Sequence, residues 1–292
     1  MLRLKPKLEI FLKFFIVVDL IILLLNFLNN YVDVDWISTS PGRRLNNPLA
    51  ALLTAFFLLG WVNPKIKKRS FDYLKTLITE VPRRYYFFGL LILIQLFFEG
   101  MHLTSPSKSY WDLNIEKGYA TYFSTVQLYI LALAVLIIAD EKRNDLNPIP
   151  KVYEWNLVVC LFIYLALDEC IGIHDRVNVE AYKYLPNWEG RNSVFLWLWV
   201  FAPMILASII FLMRFFIRAS KNNAKVKLTF LTGLSAWVAA LVFEAIAGIS
   251  SFPRYLLIAM EEGLEMLGAS LLLLGFGIYL KNFILKNKDY ED

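Results

Sequence analysis

The segment LALDECIGIHDR, Leu165 to Arg176, sets Asp168, Glu169, His174 and Asp175 at the end of a run otherwise apolar enough for hydrocarbon. Three other apolar runs carry acids near one end: QLFFEGMHL with Gln95, Glu99 and His102, LVFEAIAGIS with Glu244, and LLIAMEEGLEMLG with Glu261, Glu262 and Glu265. A further run adds Ser124 and Gln127 at the same level. The chain has only two histidines, His102 and His174, and both fall in these groups. Taken singly, a histidine at a membrane interface is most simply a polar cap. Many carboxylates held together repel one another unless they are protonated or bound to cations, and a metal would explain acids and histidines at once.

Di-iron and di-manganese carboxylate bundles take a Glu from each of two helices and a Glu-x-x-His from each of two others. EGMH at 99–102 is one such unit. Glu169 with His174 could supply the second, and Glu244 with one of Glu261, Glu262 or Glu265 the lone carboxylates. The candidate metal ligands are therefore Glu99, His102, Glu169, His174, Glu244, Glu262 and Glu265. Asp168 and Asp175, seven apart and on one helix face, are the candidate general bases or partners to those ligands. Glu169 and His174 are five apart, roughly 140° around an ideal helix, so they converge only if the helix unwinds near Gly172. Iron or manganese suits such a set better than zinc, whose sites favour Cys and His. Calcium would leave both histidines unexplained, and haem would be crowded by carboxylates.

Positioning these groups is the task of a helical bundle. The chain is 58% hydrophobic and 19% charged over 292 residues, against about 45–50% and about 25% for soluble domains. Several apolar runs reach the ~20 residues that cross a bilayer. Pro, Gly and charge breaks divide them into eight expected spans near 8–28, 48–63, 84–103, 119–139, 155–173, 194–217, 227–248 and 256–280, in a single all-α integral membrane domain. The second is the weakest, being short and ending at Asn63-Pro64. With the N-terminus inside, the inner segments carry 21 Lys and Arg and the outer ones 8, the asymmetry of a chain with both termini cytoplasmic. The net charge of +5 thus serves topology and anionic lipid, not nucleic acid. The first run is too long for a cleavable signal and reads as a retained anchor. Cys160 and Cys170, ten apart on one helix, cannot pair within it. Phe71, Leu74, Leu77 and Ile78, flanked by basic residues, read as a short amphipathic helix on the cytoplasmic leaflet or as an ordinary basic connector. Asp19 stands mid-span and apart from the cluster.

In this topology the acid-bearing ends of the third, fifth, seventh and eighth spans all lie on the outer side. A charge at a helix centre costs about 2.5–3.5 kcal/mol and less toward the ends, so four helices with acids at one depth point to a single outward polar chamber.

The pairing of LALDECIGIHDR with EEGLEMLGA resembles a pattern in bacterial multi-pass membrane proteins of unassigned function, in which an LDE helix end with a nearby His-acid pair precedes a Glu-Glu-x-Leu-Glu-Met-x-Gly helix. The resemblance covers the fifth to eighth spans. It implies a bacterial cell (inner) membrane and one shared site, and it names no reaction. Two histidines are too few for desaturase His boxes or for the three-His zinc site of the ceramidase and adiponectin-receptor group. No Gly-x-x-x-x-Gly-Lys loop and no Gly-x-Ser-x-Gly elbow occurs. Three readings follow: a metal-dependent membrane enzyme, hydrolase or oxidase, acting on a lipid or lipid-linked substrate; a divalent-cation or proton transporter; or a structural and assembly protein with a buried polar network. The inner halves of the acid-bearing helices hold few ionisable groups, which favours the first over the second.

Overall fold

A computed structural model describes residues 83–104, 118–143, 148–174, 196–249 and 252–288, with Trp111, Leu113, Val177 and part of 72–80. The expected spans 8–28 and 48–63, Asp19 and Asp175 lie outside the described residues. By its contacts the chain divides into two compact units, 1–72 and 73–292, and the account below concerns the second.

Six helices carry this unit: α1 Arg83–Thr104, α2 Tyr119–Lys142, α3 Val152–Ile171, α4 Leu196–Ala219, α5 Ala224–Ile249 and α6 Arg254–Lys288. Among the described residues there is no strand. Each helix falls within a few residues of an expected span, except that α6 continues well past 280. Five are long and apolar enough to cross a membrane; α3 is not among them. It carries Glu154, Asp168 and Glu169 and packs Trp155, Val158, Phe162 and Ala166 fully inside. Its other side is open at Tyr153 and Leu157, and acids at the ends of a helix cost less than acids at its centre.

α6 is the hub. It packs on α5 most extensively and also on α1 and α2, while α2 packs on α3 and α4 on α5. The α5–α6 seam is close because glycines line it. A Cβ on Gly233 would lie 3.1 Å from the Gly268 carbonyl oxygen, and one on Gly275 would lie 2.5 Å from the Phe230 ring. Small residues allow apolar helices to approach where lipid supplies no hydrophobic drive between them. Beside the seam, Phe216 and Phe230 stack at 4.5 Å, Phe276 meets both, and Trp155 meets Phe215 at 4.7 Å. These rings fill one end of the bundle.

The same end gathers the ion pairs. Arg218 on α4 reaches Glu154 on α3, whose other oxygen accepts from the Lys151 backbone N–H at 2.7 Å and caps α3. Lys75 meets Glu141 at 2.5 Å, both about one-third exposed, so the pair contributes about 1 kcal/mol or less. Asn223 accepts from Val226 N–H at 3.1 Å and caps α5, which starts just after a four-residue connector from the end of α4, a link short enough to make the two antiparallel neighbours.

The amphipathic stretch before α1 behaves differently from the expectation of a surface-lying helix. Leu74 and Ile78 are buried, at 7% and 0% exposure. Ile78 approaches α6 so closely that a Cβ on Gly277 would lie 2.8 Å from its carbonyl oxygen. Leu74 and Ile78 are spent on protein, and for Ile78 the partner is a glycine notch in α6.

Outward faces are apolar. On α1, Leu90, Leu93 and Leu96 are exposed, as are Trp199, Leu206 and Ile210 on α4.

Candidate functional site

α3 ends at Gly172, whose φ of 59° and ψ of 56° are left-handed, a conformation that costs other residues about 1–2 kcal/mol. Its N–H closes on the Asp168 carbonyl at 2.7 Å, and the chain turns back over the helix end. His174 then donates its backbone N–H to Asp168 Oδ1 at 2.9 Å, with its ring Nδ1 3.1 Å from the same oxygen. The chain leaves the helix at Gly172, as convergence of His174 on the helix end requires, and His174 there meets Asp168. The left-handed turn brings it onto a carboxylate of the final helical turn, a contact that a helical wheel does not contain.

The His174 ring packs against Trp197 on α4, with centroids 5.0 Å apart, and Trp197 Nε1 donates to Glu244 on α5 at 2.7 Å. One tryptophan thus ties the ends of α3 and α5 together. On α6, Trp237 of α5 donates its Nε1 to the Glu265 carbonyl oxygen at 2.9 Å. That ring occupies the space where a Cβ on Gly268 would stand, so the glycine admits the tryptophan that holds the turn bearing Glu265.

These groups border a cavity of about 240 Å³. One part of its wall is acidic, formed by Asp168, Glu169 and His174 of the α3 end, Glu244 of α5, and Glu261, Glu262 and Glu265 of α6. Another is apolar, from Phe201, Met204, Ile205, Ile209 and Leu212 of α4 with Leu234, Val238 and Leu241 of α5. Ser124 and Gln127 of α2 also line it. Among the described lining residues there is no Lys or Arg. Met204 lines the cavity and is also 45% exposed, so the α4 wall there is one side chain thick.

Glu99 and His102 stand elsewhere. Both ring nitrogens of His102 are engaged with backbone: Leu113 N–H donates to Nδ1 at 3.2 Å, which leaves Nε2 to donate to the Tyr255 carbonyl at 3.0 Å. His102 is 1% exposed and joins α1 to the first turn of α6. Gln95 Nε2 donates both to Glu99 Oε1 and to the Gly263 carbonyl, each at 2.8 Å, and a Cβ on Gly263 would lie 2.6 Å from that Glu99 oxygen. Of the expected ligands, the structure gathers Glu169, His174, Glu244, Glu262 and Glu265 around one cavity. It sets Glu99 and His102 in a separate α1–α6 contact. Among the described residues, no three His, Cys, Asp or Glu side chains stand close enough together to hold a metal ion.

The span expected at 194–217 contributed no expected site residue, although α4 supplies Trp197 and most of the apolar wall. The available signal was Trp197 itself, an aromatic with a polar N–H one residue into a helix that begins at the level of the acids.

The chain belongs to the family described as a domain of unknown function, DUF8692, which matches residues 85–280 and so spans α1 through most of α6. No curated protein and no solved structure matches the chain.

Proposed function

We propose that the chain is a polytopic protein of a bacterial inner membrane, with eight spans, both termini cytoplasmic and the cavity toward the outer side. In this reading the cavity is the active site of an enzyme acting on a lipid or lipid-linked substrate, and a divalent metal, iron or manganese ahead of zinc, serves at its acidic end. The observation that carries the reading is the two-part wall: six carboxylates and a histidine at one end, and α4 side chains one layer from an apolar outer face along the rest. An amphiphile matches both parts. Six carboxylates on one part of a wall call for protons or a bound cation to offset their repulsion. His174 holds Nδ1 3.1 Å from an Asp168 oxygen, the pairing that orients metal-bound and proton-accepting histidines. Glu169, Glu262 and Glu265 are the candidate co-ligands, and gathering three donors on one ion requires side-chain rotation about the present backbone.

Transport fits less well. Beyond Trp237 the inward path meets Phe162 at 5.8 Å and then Phe276, fully buried rings with no polar step between them.

The test is metal content per chain, by inductively coupled plasma mass spectrometry, on protein purified in mild detergent without chelator after growth with iron and manganese supplied. One or two equivalents, lost in Glu262→Gln and His174→Ala while both variants keep the wild-type unfolding temperature, supports the reading. Absence of stoichiometric metal in folded wild-type protein removes the metal from it.

A further inference from the structure

Deeper than the acids, the cavity wall holds polar atoms without partners. Ser124 and Gln127 are 6% and 2% exposed and both line the cavity. Gln127 Nε2 donates to Ser270 Oγ on α6 at 2.9 Å, yet Gln127 Oε1 and Ser124 Oγ have no hydrogen-bond partner. A buried polar atom left unpaired costs about 1–3 kcal/mol, and buried polar groups are nearly always satisfied. Ser270 follows Glu265 by five residues and Glu262 by eight, so this second polar station lies ~7–12 Å further along α6 than the acids. Apolar α4 side chains, Ile209 and Leu212 among them, border the same cavity.

We propose that Ser124 and Gln127 form a recognition station for a polar group inside the ligand's body. That group both donates and accepts hydrogen bonds, as a secondary amide or a hydroxyl does. An ester can accept from the Ser124 hydroxyl but has no hydrogen for Gln127 Oε1, and a plain acyl chain satisfies neither atom. The substrate class is thereby narrowed from amphiphiles in general to those with an amide or hydroxyl about one to two helical turns from the reacting end. This inference rests on the cavity being an amphiphile site, as proposed above, and is independent of whether a metal occupies the acids.

Two probes of matched shape separate these cases: N-dodecyl hydroxyhexanamide and dodecyl hydroxyhexanoate, which differ in one N–H and whose spacers set the hydroxyl head apart from the amide or ester. Each is titrated against the full chain in non-ionic detergent and scored by native mass spectrometry. The amide is expected to bind wild-type protein about five- to tenfold more tightly than the ester, the size of one buried hydrogen bond. In Ser124→Ala and in Gln127→Leu, ester binding persists and the ratio falls toward one. Ser124→Ala is the gentler change, since its hydroxyl contacts nothing that folding needs. Equal affinity in the wild type, as when ordered water fills the station, overturns the proposal while leaving the cavity an amphiphile site. A preference surviving in both variants overturns it as well, and failure of both probes to bind overturns this inference and the parent reading together.

Discussion

The two histidines of this chain have opposite employments, and their hydrogen bonds show why. His174 sits with a carboxylate and a tryptophan on the cavity wall. His102 spends both nitrogens on backbone groups of two different segments. Replacing His102 by alanine should orphan Leu113 N–H and remove the link from α1 to the Tyr255 carbonyl, at about 1–3 kcal/mol, and lower the thermal unfolding midpoint. Any bound metal should be retained at wild-type stoichiometry. Metal lost from folded His102→Ala protein would return this residue to the ligand set. The EGMH spacing could not make this distinction. It places Glu99 and His102 on one face of α1, but which neighbour that face meets depends on the rotation of the helix, and every face of α1 is apolar enough to mislead.

Between helices the decisive residues are the smallest. Gly268 leaves room for Trp237 and lies against Gly233 of α5, so an added methyl must push either a ring or a backbone carbonyl. Gly268→Ala is expected to destabilise the fold by about 1–3 kcal/mol and to disturb the turn bearing Glu265. Gly89 on α1 meets nothing within 4 Å, and Gly89→Ala should be neutral or stabilising by about 0.5–1 kcal/mol. Thermal unfolding of the two variants side by side reads the contrast; equal effects would mean that the seam is not close-packed. Helix existence and bounds were legible in the sequence, because run length and Pro or Gly breaks are one-dimensional signals. Depth was legible too, since distance from a helix end is counted along the chain. Azimuth was not. Helices such as α4 are apolar on both their exposed and their buried sides, so no stripe marks the inner face, and the packing of Ile78 on α6 depends on Gly277, far along the chain.

At the scale of the molecule, the starts of α2, α4 and α6 and the ends of α3 and α5 meet at one cavity, which makes successive helices alternate in direction. Residues 220–223 must then lie at the end of the bundle opposite Phe252. Cysteine at Asn222 should be shielded from a membrane-impermeant maleimide in intact cells and react only after permeabilisation, whereas cysteine at Phe252 should react at once. The reverse pattern would invert the proposed orientation. α6 has one further consequence, which concerns time. Of the six helices it leaves the ribosome last, yet it contributes three of the acids and packs on α1, α2 and α5. Until it arrives, Gln95, Gln127 and Trp237 lack the partners they have in the finished fold. Earlier helices must therefore wait as an unfinished set, with amide and indole N–H groups open to whatever holds or removes incomplete proteins. The cavity is not complete until the last of these six helices has been made.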